Sequence, residues 1–122
     1  MRRLVDANVI IRYLLGDIVS QAEKARAEIN RGVFLCDAAL AEVVYVLSGI
    51  YAMPRDRVSS LLIALLDEVA SPNPMVGKRA LDIFAKKKKL DFVDCLLAAS
   101  KQIEGDEILT FDKDLLKYLS AK

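Results

Sequence analysis

Five carboxylates stand where apolar runs begin or end: Asp6 in LVDAN, Glu42 in AALAEVVYVL, Asp91 and Asp94 in LDFVDCLLAAS, and Asp112 in LTFDKDLL. Asp94 is the most demanding of them. Its helical stretch is otherwise almost wholly apolar, and a carboxylate beside a core stays ionised only with a cation, a donor set or a metal next to it. Several acids brought together repel one another and call for a divalent cation. Hard oxygen ligands with no His or Cys nearby select Mg²⁺ or Mn²⁺ over zinc. Mg²⁺ takes few carboxylates and leaves its other positions to water and phosphate oxygens, the arrangement of phosphodiester hydrolysis. One ion lowers the pKa of a bound water to make a nucleophile, and a second can stabilise the leaving 3′ oxygen.

The sequence contains no histidine. That removes Ser-His-Asp and Cys-His relays, imidazole acid-base pairs and His-ligated zinc, so any enzyme here works through carboxylates. The formal net charge of +1 gives no global attraction to nucleic acid, leaving local patches such as KKKK at 86–89. Cys36 and Cys95 lie far apart without metal-ligand spacing, each among apolar residues, and read as buried thiols in a reducing compartment. No uncharged apolar run approaches the roughly 20 residues that span a bilayer. The start, MRRLVDANVI, meets an acid before a signal-peptide core could form. A soluble, cytoplasmic protein without membrane association is expected.

Positioning these acids falls to alternating elements. Apolar runs at Arg3–Val5, Val33–Cys36 and Glu107–Phe111 read as buried strands, with a weaker candidate near Glu68–Ser71. Leu40, Val43, Val44 and Leu47 repeat at helical spacing, and the stripe Val58, Leu61, Leu62, Leu65, Leu66 and Val69 does the same. Further helices are predicted at about 7–15, 21–31, 76–87, 91–104 and 113–120, broken by Gly16, Gly32, Met53-Pro54, Pro72 to Pro74 and Gly105. A single domain over residues 1–122 is expected, with no linker or repeat. Strands alternating with helices predict a three-layer α/β/α fold with a short, mainly parallel central sheet, whose strand ends would carry the acids to one edge.

Each acid also has a plainer role. Asp6 and Asp112 suit helix N-caps, Asp91 with Asp94 forms the pattern of a capping box, and Glu42 can face water in the first turns of its helix. Capping alone does not explain why so many acids emerge at the edge where such a sheet opens its cleft.

The stretches VDANVIIRYLLGD, AEVVYVL, LDFVDCLLAAS and LTFDKDLL, in this order and spacing, resemble the PIN-domain family, especially the VapC-type toxins of toxin-antitoxin pairs. The resemblance covers nearly the whole chain. It implies a metal-dependent endoribonuclease cleaving RNA at an acidic Mg²⁺ or Mn²⁺ site, the toxin of a type II pair. It also implies a homodimer and a cognate antitoxin that covers the site. Residue by residue, it implies Asp6, Glu42, Asp94 and Asp112 as the catalytic set, with Asp6, Asp94 and Asp112 as metal ligands. Asp91 and Asp114 are auxiliary, and Asn8 and Thr110 orient Asp6 and Asp112. Cys95 stands where a smaller residue is commoner in the family, and reads as packing. The segment from Ser71 to Lys89 matches the pattern least well.

Single-stranded RNA needs positive charge beside an acidic cleft. Arg2, Arg3, Arg12, Lys86, Lys87, Lys88, Lys89 and Lys113 are the candidates. Two rival readings are a non-catalytic PIN-like RNA- or protein-binding scaffold and a receiver-like signalling domain. The latter would want an acidic pair after its first strand and a lysine after its last, where this chain has D-A-N and T-F-D.

Overall fold

The computed structural model describes residues 1–121. Among these residues seven α-helices follow one another: α1 (Ala7–Leu15), α2 (Val19–Asn30), α3 (Asp37–Tyr45), α4 (Arg55–Glu68), α5 (Pro74–Lys86), α6 (Phe92–Glu104) and α7 (Lys113–Ser120). A π-helical turn, Val46–Ile50, extends α3. Helix boundaries follow local chemistry. Gly16 at φ 64° and Gly105 at φ 76° stop α1 and α6 in the left-handed conformation that glycine adopts without a Cβ penalty. Asn73 starts α5 by accepting from the backbone N–H of Met75 at 3.1 Å, with Pro74 at the first helical position.

The expected three-layer α/β/α arrangement with a central sheet is not what forms. Helix makes up 69% of the chain and strand 2%, with no sheet among the described residues. What remains of the strands is two isolated parallel bridges, Leu4 to Phe34 and Phe34 to Ala70. They are held by Phe34 N–H to the Arg3 carbonyl (2.8 Å), Val5 N–H to the Phe34 carbonyl (3.1 Å) and Leu35 N–H to the Ala70 carbonyl (2.8 Å). The weak candidate near Glu68–Ser71 therefore supplies one bridge. Glu107–Phe111 supplies none, and leaves Leu109 and Phe111 exposed at 90% and 93%. Single bridges fix a chain crossing but cannot extend a ladder, so the packing is carried by helices.

The core gathers one face of nearly every helix. Ile10 of α1, Leu40 and Val43 of α3, Leu62 and Leu65 of α4, Leu81 of α5, Ala98 of α6 and Leu115 of α7 are all buried. In the middle, α5 packs against both α4 and α6. Gly77 of α5 sets the spacing to α4, since a Cβ there would lie 2.9 Å from Leu66 Cδ1.

Arg55, at the start of α4, ties the turn after α5 to the core. One guanidinium nitrogen donates to the carbonyls of Phe84 (3.0 Å), Lys87 (3.1 Å) and Leu90 (2.8 Å), and the group lies 4.0 Å over the Phe84 ring. The Phe84 carbonyl lies in the last turn of α5 without an intrahelical partner, and those of Lys87 and Leu90 belong to the turn that leads to α6. Arg55→Met should therefore lower unfolding free energy by about 2–3 kcal/mol, read from urea midpoints at an unchanged m-value. A midpoint equal to wild type would mean that water replaces the guanidinium without loss.

Candidate functional site

The helix starts hold the acids, and they hold them differently. Asp6 sits at the N-cap position of α1 in extended conformation, yet its side chain makes no capping hydrogen bond, and it is exposed. Its carboxylate is thus not occupied by the local role that sequence reasoning assigned as the alternative. Asp112 does cap: its Oδ1 accepts from Leu115 N–H at 2.8 Å. Thr110 Oγ1 in turn accepts the Asp112 N–H at 3.0 Å, fixing the backbone that carries this carboxylate.

Asp91 and Asp94 form a capping box at the start of α6. Asp91 Oδ1 accepts from Asp94 N–H at 2.8 Å, while Asp94 Oδ2 accepts from Asp91 N–H only at 3.4 Å. Burial lifts the Asp94 carboxyl above its ordinary pKa, and the negative charges of Asp91 and Asp112 lift it further, against a lowering by the Asp91 backbone bond. Asp91 and Asp112 thus both act on Asp94. Helix α7 runs beside α6 in the same direction, Asp112 near Asp94 and Tyr118 bonded to Gln102 at 3.0 Å, so both N-termini open at one end.

Glu42 lies exposed on α3 and lines a groove of about 280 Å³ with Asn8, Arg12, Val46, Ile50 and Tyr51. Asp6 and Asn8 line a neighbouring groove of about 480 Å³ between α1 and α2. Among the described residues no group of three or more acids is disposed to share a metal ion. Ion pairs occupy other acids: Arg3 with Glu28 (2.6 Å), Arg12 with Asp17 (3.0 Å) and Lys86 with Asp82 (3.2 Å). None involves Asp6, Glu42, Asp91, Asp94 or Asp112 among the described residues.

Of the cations expected to meet RNA, several are engaged. Arg2 stacks 4.4 Å over Phe34, Arg3 pairs with Glu28, and Arg12 also donates to the Tyr51 hydroxyl at 2.7 Å. Lys113 is exposed at the first turn of α7, and Lys86 to Lys89 line a groove with Asp114. Tyr118 and Arg55 escaped sequence reasoning because their roles depend on partners distant in sequence. The only local hint was an arginine opening a helix directly after Pro54.

A PIN domain family model matches residues 3–119. The chain belongs to the PIN-domain family. Comparison with curated proteins and with solved structures gives no match. PIN domains are generally nucleases, which supports a hydrolase acting on nucleic acid and sets aside the receiver-like alternative. PIN domains usually use divalent metals. The donor chemistry suits one: hard oxygens, repulsion at Asp94 and, among the described residues, no cation paired with Asp91, Asp94 or Asp112. No helix among the described residues is long and apolar enough to cross a membrane.

Cys95, one residue beyond Asp94, takes no part in this chemistry. It is fully buried, and burial pushes its thiol pKa up to about 12. Cys36 is only partly buried. Alkylation by iodoacetamide at pH 8 should modify Cys36 in the native PIN domain and Cys95 only after denaturation, as followed by peptide mass spectrometry. Native labelling of Cys95 would contradict its burial.

Proposed function

We propose that this PIN domain is a divalent-metal-dependent endoribonuclease cutting single-stranded RNA, and the toxin of a type II toxin-antitoxin pair. The observation that carries the nuclease reading is Asp94: a partly buried carboxylate, pressed by the charges of Asp91 and Asp112, with no basic side chain among the described residues paired to any of the three. Mg²⁺ or Mn²⁺ is the fitting cation; Asp94 and Asp112 would hold it, while Asp6, the third ligand the motif implies, forms no three-acid group with them among the described residues. Because Mg²⁺ keeps several waters and is bound through one or two carboxylates plus substrate phosphate, the lack of a three-acid cage is compatible with it. When bound, it would supply Lewis acidity and a water of lowered pKa.

The protein's own groups do the rest. Thr110 fixes the Asp112 backbone, and the capping box fixes Asp94 on the rigid start of α6. Glu42, exposed in its groove, offers a carboxylate to accept a proton from the attacking water. The toxin assignment rests on the four motif stretches in their order, and implies a cognate antitoxin and a homodimer. Tyr45, Ile50 and Tyr51 beside Glu42 are exposed at 67%, 76% and 41%, the kind of surface a protein partner covers.

The test is incubation of purified protein with 5′-labelled single-stranded RNA and Mg²⁺ or Mn²⁺, with mapping of the cut ends. Discrete internal cuts are expected. A well-folded protein that leaves every RNA intact would favour the scaffold reading instead.

A further inference from the structure

The turn between α5 and α6 carries Lys87, Lys88 and Lys89, and across from it α7 presents Lys117 and Tyr118. Together they line a groove of about 450 Å³ that ends on Leu90 and Asp114. Leu90 directly precedes Asp91, and Asp114 follows Asp112 by two residues, so the groove adjoins the end where α6 and α7 begin. Along α7, Tyr118 stands six residues beyond Asp112. At 1.5 Å per residue that is about 9 Å, a distance a short run of nucleotides covers.

Two features separate this groove from an ordinary solvated helix end. First, among the described residues no carboxylate pairs with Lys87, Lys88, Lys89 or Lys117, although Lys86 pairs with Asp82. Four exposed lysines lining one groove with Asp114 as the one acid among its lining residues leave an excess of positive charge that a polyanion would complement. Second, the groove is held in shape. Arg55 binds the carbonyls of Lys87 and Leu90, Leu90 N–H returns to the Lys87 carbonyl at 3.0 Å, and Gln102 anchors the Tyr118 hydroxyl. A fixed backbone lets the lysine side chains meet a ligand without first ordering the loop. The Tyr118 ring, with Lys87 Nζ 5.9 Å from its centroid, supplies an aromatic surface among the cations.

We infer that the groove lined by Lys87, Lys88, Lys89, Lys117 and Tyr118 holds the sugar-phosphate backbone of single-stranded RNA beside the acidic end of α6 and α7. As a substrate subsite it rests on the nuclease reading above. The lysines neutralise successive phosphates, Tyr118 stacks against a base or sugar, and Arg55 is a positioning residue that touches no RNA.

Fluorescence anisotropy of a labelled 12-nucleotide RNA, titrated in EDTA at several salt concentrations, tests this without requiring cleavage. The fourfold variant Lys87→Ala, Lys88→Ala, Lys89→Ala, Lys117→Ala is expected to bind at least about 30-fold more weakly, with a salt slope shallower by about 2–3, at roughly 0.7 per phosphate released. The matching Lys→Arg variant should bind like wild type, and Tyr118→Leu should lose about fivefold or more. All are exposed or half-buried positions, and thermal melts confirm folding. Unchanged affinity and slope in the folded fourfold Ala variant would overturn the assignment. Tight, lysine-dependent binding by a protein that never cuts would support the groove and sink the nuclease reading, whereas RNA cutting with lysine-independent binding would do the reverse.

Discussion

Asp94→Asn is expected to abolish RNA cleavage while raising the melting temperature of the metal-free protein. The two effects have one origin. Asparagine keeps an oxygen for the Asp91 N–H and so preserves the capping box, but removes the charge that a cation or a reacting phosphate site requires. Loss of activity should be about 10²–10⁴-fold. For stability, the Asp94 carboxyl is raised above its ordinary value in the folded state, so the folded protein binds that proton more tightly than the unfolded chain. Stability therefore falls as pH rises from the ordinary carboxylate value, about 3.9, through the raised one. Asparagine is spared that fall. Calorimetry in EDTA should show the variant melting higher than wild type at pH 7, with the advantage gone near pH 3. A variant melting lower than wild type at pH 7 would show that Asp94 is already balanced by a cation the protein itself provides.

Chelation is the second large effect. EDTA should silence the wild type, and Mg²⁺ or Mn²⁺ should restore it. Because a ligand that binds only the folded state stabilises it, Mg²⁺ at a hundred times its dissociation constant should add about 2.7 kcal/mol to unfolding free energy. That gain should be largely missing in Asp94→Asn and in Asp112→Asn, which keeps the α7 cap through its remaining oxygen. Urea titrations with and without Mg²⁺ measure it independently of turnover. Full turnover in EDTA, or the same Mg²⁺ gain in both variants, would remove the metal from the mechanism.

How far the sequence foretold these features depends on whether their causes are local. The helices were legible because period and punctuation lie within each segment: the break at Pro72 to Pro74 leads into α5, which starts at Pro74, two residues ahead of the expected 76, and Gly16 and Gly105 close α1 and α6. The sheet was not. Glu107–Phe111 and Arg3–Val5 are both short, mainly apolar runs, but pairing is a non-local event that neither composition reveals, and Leu109 and Phe111 end in solvent while Ala70 of the weaker segment finds a partner. Within the site, the capping box at Asp91 and Asp94 and the cap at Asp112 were written in their spacing. That Asp6 leaves its helix uncapped was not, since spacing gives position and not side-chain direction. Arg12 looked available to RNA, yet Asp17 and Tyr51 hold it, the latter 39 residues away.

The π-helical turn after α3 has a geometric result of its own. Tyr51 N–H reaches back to the Val46 carbonyl, five residues earlier, so the helix there takes in one residue more than regular winding allows. Each residue turns an α-helix by about 100°, and the insertion swings everything downstream by that much relative to Leu40 and Val43. Beyond that swing the Tyr51 phenol meets α1, where Arg12 donates to its hydroxyl at 2.7 Å. The wider coil is thus the hinge pin by which a helix loyal to the interior at Leu47 still delivers a hydroxyl to Arg12, closing one wall around Glu42.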